Sequence, residues 1–323
     1  MTVLLTGVAG FIGMHVAEAL LARGDRVIGI DNLTPYYDVR LKRARLARLE
    51  ALQGFSFMEA DVADRGVMLD LASQHPEVTR VVHMAAQPGV RHSLVDPFAY
   101  VEANVMGHLV VLETARRLPR LEHVVYASSS SVYGGNRKLP FTETDRVDHP
   151  VSLYAATKRS GELISEAYGH LFGLPQTGLR FFTVYGPWGR PDMAPWMFAE
   201  AILEGRPITL YEGGRLKRDF TFVTDIAAGV LGCLDRPADG AAPRLLNIGN
   251  HRSEEVRRFL GVLEDALGRR AVVVDAPRPA TDVEETFADI DAIHALCGFV
   301  PSTPIEAGIP RFADWFISWP CGA

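Results

Sequence analysis

The chain reads as an α/β protein: a doubly wound parallel sheet of Rossmann type followed by a smaller C-terminal α/β lobe. Three observations carry that reading. Short apolar runs alternate with helical periodicity from Met1 to about Phe182, the pattern of a parallel sheet wrapped by helices on both faces. The first run leads straight into Thr6-Gly7-Val8-Ala9-Gly10-Phe11-Ile12-Gly13, a glycine triplet set between a strand and a helix. Beyond Phe182, the residues Pro187, Pro191, Pro195, Gly205, Pro207, Gly213 and Gly214 cut the chain into shorter pieces, so a second texture begins there.

The elements follow in order. Val3–Leu5 predicts the first strand, and Phe11–Arg23 a helix with Phe11, Val16, Ala19 and Leu20 on one face. Arg26–Ile30 predicts a second strand that ends at Asp31, and Phe55–Met58, Arg80–His83, His123–Ala127 and Thr177–Phe181 continue the sheet. Arg40–Arg48 holds Arg40, Lys42, Arg43, Arg45 and Arg48 beside an apolar stripe of Leu41, Leu49 and Leu52. That mixture predicts a helix whose charged face is solvated. Tyr154–Phe172 is an amphipathic helix. In the second part, Ile208–Tyr211 and Phe220–Val223 read as strands, with helices near Met197–Leu203 and Glu255–Leu267. The expected division is a dinucleotide-binding domain over 1–182 and a mainly substrate-binding lobe over 183–323. Residues 224–250 are expected to return to the first domain through Asp225–Leu234 and Leu245–Ile248.

Composition narrows the function. A length of 323 residues with 48% apolar side chains suits about two domains and an ample core. A net charge of −6 argues against a nucleic-acid-binding surface. Cys233, Cys297 and Cys321 are odd in number and widely spaced, which suits a reducing compartment and forms neither a disulfide framework nor a metal site. No apolar run reaches the ~18 residues of a membrane span, and the start does not read as a secretory signal. A cytoplasmic protein without membrane or nucleic-acid partners is expected.

The glycine loop carries the first piece of chemistry. Gly7 permits the tight turn, Gly10 lets backbone N–H groups approach a pyrophosphate, and Gly13 allows close helix packing. The helix N-terminus then faces the anion with unpaired donors. Asp31, eighteen residues past Gly13, is placed to accept from the adenosine ribose hydroxyls. Its charge would repel a 2′-phosphate, so NAD is expected rather than NADP. Asp61-Val62, after the third strand, is either an adenine contact or an ordinary loop.

The second piece is Tyr154 and Lys158, which share one helical face at i, i+4. A nearby ammonium is expected to lower the phenol from about 10 toward neutrality, creating a base for a hydroxyl proton while a hydride leaves the same carbon. Ser128–Ser131, at the end of another strand, offers a hydroxyl to the reacting oxygen. Together these features point to redox chemistry on an alcohol.

The pairing of Thr6–Gly13 with Tyr154-Ala-Ala-Thr-Lys158 resembles the extended short-chain dehydrogenase/reductase (NAD-dependent epimerase/dehydratase) family over nearly the whole chain. Within it, these segments, His83–Gln87, Ser128–Gly134 and the long Leu179–Met193 look most like those of UDP-glucuronate 4-epimerases. The resemblance implies Ser129 as catalytic serine with Tyr154 and Lys158. It assigns Gly7, Gly10, Phe11, Ile12, Gly13, Asp31, Asn32, Asp61, Val62, Ala85, Ala86 and Asn104, besides Tyr154 and Lys158, to NAD. Arg91, Ser130, Ser131, Thr183, Arg190, Arg218 and Arg278 fall to a UDP-sugar. Arg218 and Arg278 stand at diphosphate positions, because a guanidinium pairs phosphate bidentately.

Two positions separate sister activities. Dehydratases and UDP-glucuronate decarboxylases of the family carry a glutamate where this chain has Ser131, and UDP-galactose-type epimerases an asparagine where it has Thr183. The implied activity is therefore NAD-dependent inversion at C4 of UDP-glucuronate to UDP-galacturonate through a 4-keto sugar, by a homodimer. The alternatives are a UDP-glucuronate decarboxylase, another UDP-sugar 4-epimerase, or a dinucleotide-sensing regulator without turnover. Pro88, where relatives commonly have alanine, and Pro279-Ala280-Thr281-Asp282, in place of Pro-Gly-Asp, depart from the pattern.

Overall fold

The computed structural model describes residues 1–240, 242–279 and 283–319; Ala280, Thr281, Asp282 and Cys321 lie outside the described residues. The chain runs β1 (Thr2–Thr6), α1 (Phe11–Ala22), β2 (Arg26–Asp31), α2 (Val39–Glu50), β3 (Phe55–Glu59), α3 (Arg65–Gln74) and β4 (Arg80–His83). It continues through α4 (Pro97–Val101), α5 (Gly107–Ala115), β5 (His123–Ser129), α6 (Leu153–Phe172) and β6 (Gln176–Phe181). Then come β7 (Thr183–Tyr185), α7 (Ala194–Glu204), β8 (Pro207–Tyr211), β9 (Lys217–Phe222), α8 (Val223–Leu234) and β10 (Arg244–Ile248). Last are β11 (Ser253–Glu255), α9 (Val256–Leu267), β12 (Val272–Ala276), α10 (Asp291–Cys297) and α11 (Ile305–Ser318).

Seven strands pair in parallel in the order β10-β6-β5-β4-β1-β2-β3. The central strands β1 and β4 are buried on both sides because both sheet faces are covered, whereas the edge strand β3 is only partly buried. Val3 and Leu5 of β1 join an apolar cluster with Met14, Ala17 and Leu20 of α1 and Ile226 and Val230 of α8. Leu4 points the other way, into a cluster with Met68 and Leu71 of α3 and Val111 and Leu112 of α5. Truncating Leu5, which is fully buried, would cost about 2–5 kcal/mol, the range for a leucine lost from a packed core. Helix starts are set locally. The Asp64 side chain accepts from the N–H groups of Gly66 and Val67 ahead of α3, and Ser152 accepts from Ala155 N ahead of α6.

Two smaller sheets lie beyond β6, one in the order β11-β9-β7 and one pairing β12 with β8. Their apolar cluster gathers Tyr185, Phe220, Phe222, Phe259, Phe312 and Phe316. β9 starts at Lys217, earlier than the apolar run alone predicts, and Val223 belongs to α8. The main sheet reverses its winding at β1, between β4 and β2, and the crevice beyond the carboxyl ends of such strands is where open α/β sheets bind ligands. No helix among the described residues is long and apolar enough to cross a membrane.

Candidate active site

That crevice holds a cavity of about 570 Å³, lined from the main sheet by the glycine loop and the ends of β2, β4 and β5, and from beyond it by Phe182, Thr183, Arg190 and Met193. The glycine loop fills its floor. Gly7 has φ +73°, and a Cβ there would lie 2.5 Å from the Ala85 nitrogen; one on Gly13 would lie 2.1 Å from the Gly7 carbonyl oxygen. Only bare backbone closes this turn. No side chain caps α1 and no acid stands in its first turn, so its N–H donors and positive dipole end remain for an anion. A pyrophosphate fits this cradle.

Asp31, buried at the end of β2, is tied into the loop: Oδ2 accepts from Ala9 N at 3.1 Å and Oδ1 from Leu33 N at 2.9 Å. A carboxylate offers about four lone-pair sites, which leaves capacity for ribose hydroxyls. Lys42 Nζ stands 3.4 Å from Oδ1 and partly offsets the charge that is expected to repel a 2′-phosphate. Asn32 Nδ2 donates to Asp61 Oδ2 at 2.8 Å, and both line the cavity with Phe11, Ile12, Val62, Ala85 and Ala86. Asn104 does not line it. Its amide braces the Gln87 backbone (N–H to Oδ1 2.8 Å, Nδ2 to carbonyl 3.1 Å) and donates to Thr157 Oγ1 at 3.1 Å.

The basic helix corrects its solvated reading. Arg40, Arg43 and Arg48 are exposed, but Lys42 and Arg45 are buried, because α2 lies with that side against the glycine loop. Arg45 stands at i, i+4 between Leu41 and Leu49, on the apolar stripe, and that spacing is the local signal for its burial.

Tyr154 and Lys158 line the cavity from the first turns of α6, and Ser129 from the end of β5. Ser129 Oγ donates to Ser131 Oγ at 3.2 Å and accepts from Ser131 N at 3.2 Å, and it lies near enough to the Tyr154 hydroxyl to favour its ionised form. The expected depression of the phenol is not what the fold produces. Burial pushes the Tyr154 pKa up, and the Ser129 hydrogen bond and the Arg190 charge pull it back only in part. Lys158 meanwhile donates to the Ala127 carbonyl at 2.9 Å, and burial lowers its pKa to about 8 against the pull of Glu162. Tyr154 therefore rests as a phenol.

Glu162 is the residue that motif reading missed. Buried one turn beyond Lys158, it accepts from Ser128 Oγ at 2.6 Å, from Arg180 Nε at 2.8 Å and Nη2 at 2.9 Å, and from Arg159 at 3.0 Å. It thus fixes Ser128, the neighbour of Ser129. The i, i+4 step from Lys158 was its one sequence signal.

Ser130 and Ser131, which follow Ser129, line the same cavity, as do Thr183 and Arg190. Arg190 holds Asp192 through Nε at 2.9 Å and Nη2 at 2.7 Å, and Tyr36 Oη donates to the same carboxylate at 3.0 Å. Three predicted arginines lie outside the cavity lining but near one another. Arg91 sits 5.7 Å over the Tyr211 ring, and Arg278 N donates to Glu212 Oε1 at 3.2 Å. Arg218 Nη1 donates to the Glu284 carbonyl at 3.3 Å, and Arg278 pairs with the Glu284 side chain at 3.6 Å. The substituted Pro88 lines the cavity, and its carbonyl accepts from Tyr100 Oη at 2.5 Å.

The arrangement joins a dinucleotide cradle to a phenol–serine–lysine group and a hydroxyl-rich wall. The profile of the NAD dependent epimerase/dehydratase family matches residues 3–249. A probable UDP-glucuronate 4-epimerase of Rhizobium meliloti (strain 1021) is 44% identical over 332 residues, covering 98% of this chain and 97% of that protein. An Escherichia coli O111:H- protein named only as an uncharacterized 37.6 kDa protein in the cld 5′ region is 49% identical over 332 residues, covering 98% of each. Among solved structures, UDP-glucuronic acid 4-epimerase from Bacillus cereus in complex with UDP-glucuronic acid and NAD superposes with a TM-score of 0.91 at 32% identity, over 98% of this chain and 99% of that one. The chain belongs to the NAD dependent epimerase/dehydratase family.

Proposed function

We propose that this protein is a UDP-glucuronate 4-epimerase, an isomerase that interconverts UDP-glucuronate and UDP-galacturonate. The observation that carries the reading is a pair of hydroxyls that share the cavity with Tyr154. Ser131 and Thr183, both hydroxyls, line the cavity at the positions where the sister activities use glutamate and asparagine. Short donors there can hold a sugar carboxylate without adding an acid that would promote its loss.

In this reading residues 1–182 with 224–250 hold the dinucleotide, and most of 183–323 holds the UDP-sugar. The backbone of Gly7–Gly13 receives the pyrophosphate, and Asp31 the adenosine ribose. NAD bound in this cradle supplies the electron-pair acceptor and donor for C4. Tyr154 first releases its own proton to solvent; as the phenolate, its Oη then takes the O4 proton while Ser129 Oγ donates to the same oxygen. The Arg190 charge and the Ser129 hydrogen bond favour the phenolate, and Lys158 adds buried positive charge to the same wall. The proton stays on Tyr154 until the 4-keto sugar has turned over, and then returns to O4 on the inverted carbon. Ser130, Ser131 and Thr183 grip the carboxylate meanwhile. Arg218, Arg278 and Arg91 receive the diphosphate.

The enzyme works as a cytoplasmic homodimer in this proposal. Leu94, Val95 and Phe98 are 75%, 76% and 82% exposed beside Val101, and Leu163 on neighbouring α6 is 54% exposed. A contiguous apolar patch of that kind marks an interface, and the occupant we assign is the same patch of a second copy. The free thiols Cys233 and Cys297 suit the reducing cytoplasm. Incubation with UDP-glucuronate and catalytic NAD⁺, followed by NMR, tests the activity. UDP-galacturonate is expected. UDP-pentose with CO₂ would make the protein a decarboxylase, and absence of turnover a regulator. Light scattering tests the assembly: Phe98→Asp should halve the particle mass, and a monomeric wild type refutes the dimer.

A further inference from the structure

Helix α2 carries a cation that the catalytic cycle above does not use. Arg45 is fully buried, and the partners of its guanidinium are all neutral oxygens. It donates to the Ala9 carbonyl at 3.1 Å, to Tyr37 Oη at 2.6 Å, to the Trp188 carbonyl at 2.6 Å and 3.1 Å, and to the Gly189 carbonyl at 3.1 Å. Burying a cation whose direct partners are all neutral is unfavourable, and the Asp31 carboxylate eases it only through space. What the guanidinium does is geometric. Ala9 belongs to the dinucleotide loop, whereas Trp188 and Gly189 immediately precede Arg190 on the sugar-facing wall. One planar fork therefore spans the two halves of the cavity.

Other contacts converge on the same turn. His15, on α1, is 3.0 Å from the Pro187 carbonyl through Nε2, and Arg48 lies 5.4 Å over the Trp188 ring. Trp188 itself has φ +64°, a left-handed conformation uncommon for a bulky residue, which persists only where surrounding structure enforces it. Arg45 at the Trp188 and Gly189 carbonyls, with His15 at the Pro187 carbonyl, holds the peptides on both sides of Trp188. The turn ends at Arg190, whose guanidinium is fixed in turn by Asp192 and Tyr36.

We propose that Arg45 is a positioning residue for the sugar site: it clamps the 187–189 turn onto the dinucleotide loop, and so aims Arg190 and the adjoining wall at the anionic sugar of a nucleotide sugar. The inference rests on the proposed epimerase reading. Lysine keeps the charge but loses the fork, so it can reach one carbonyl at a time.

The test compares Arg45→Lys and Arg45→Met with wild type in steady-state assays on UDP-glucuronate at saturating NAD⁺, with calorimetric titration of UDP, which lacks the sugar. In Arg45→Lys, KM for UDP-glucuronate should rise at least tenfold while the Kd for UDP changes less than twofold and Tm falls by only a few degrees. Arg45→Met should show the same split more strongly. Tyr37→Phe, which removes one acceptor and no charge, should give a smaller rise of the same kind and carries the comparison if the Arg45 variants do not fold. An unchanged KM, or a KM and UDP Kd that rise together, overturns the positioning role while leaving the epimerase reading intact. A wild type inert toward UDP-glucuronate removes both.

Discussion

Acidification from pH 7 to pH 5 should destabilise this fold far more than its surface charge would suggest, through histidines buried as neutral rings. Burial lowers His108 to about 3, with the Lys158 charge adding to it, and lowers His123 to about 4. His83 is pushed well below its ordinary value by burial, and by His108 and Lys158. An unfolded histidine titrates near 6.5, so between that value and the folded one the unfolded chain binds more protons. Stability is present above about pH 6.5 and is lost as pH falls through this window. By pH 5 each of His108 and His123 should have cost about 2 kcal/mol, and His83 acts in the same direction. Asp219 opposes them. Burial raises its pKa to about 6, so it gains a proton in the folded state first and returns about 1 kcal/mol. A net loss of about 3 kcal/mol or more remains, against a total stability of about 5–15 kcal/mol. Urea unfolding at half-unit pH steps measures it: with a slope of about 3 kcal/mol per molar, the midpoint should fall by about 1 M. His108→Gln should flatten the profile by about 2 kcal/mol whatever its stability at pH 7. A midpoint that holds steady or rises between pH 7 and pH 5 would refute the reasoning.

Other predictions concern the site. Tyr154→Phe should keep its Tm and NAD⁺ affinity but lose at least ~10²-fold in kcat, the low end for a general acid–base group; near wild-type turnover would remove Tyr154 from the chemistry. Asp31→Ala should weaken NAD⁺ and strengthen NADP⁺ in fluorescence titrations, because it frees Lys42 to meet a 2′-phosphate. A wild type that already prefers NADP⁺ would contradict the role given to Asp31. Thr183→Val should raise the ratio of UDP-pentose to UDP-galacturonate by NMR. The 4-keto sugar is a β-keto acid that loses CO₂ once its C5–C6 bond stands perpendicular to the carbonyl plane. An unchanged ratio, even with slower turnover, means that Thr183 does not orient the carboxylate.

The βα alternation, the glycine loop and the acid after β2 were legible because each is a local consequence of chain chemistry. Strand apolarity follows from burial on both faces, and Gly7 and Gly13 follow from contacts within one turn and its neighbouring strand. The spacing of Tyr154 and Lys158 is likewise a property of a single helix. The Tyr154 pKa is not local: desolvation by the assembled wall outweighs the Ser129 hydrogen bond and the Arg190 charge, while the Lys158 ammonium one turn away bonds to Ala127. The Asn104 amide bonds the Gln87 backbone and Thr157, contacts to residues 17 and 53 positions away that no local pattern encodes.

The amino-acid order thus determined which elements form and which groups reach the carboxyl ends of the strands, since propensity, periodicity and turn chemistry act over a few residues. Only the tertiary structure decided that Lys42 faces Asp31 and that Arg45 joins Ala9 to Trp188, partners 143 residues apart in the second case. The same docking brings Arg91 over Tyr211. Each of these contacts depends on how one element settles on another. The i, i+4 spacing of Leu41, Arg45 and Leu49 places Arg45 on the inner face of α2, but which carbonyls it meets there is set by that settling.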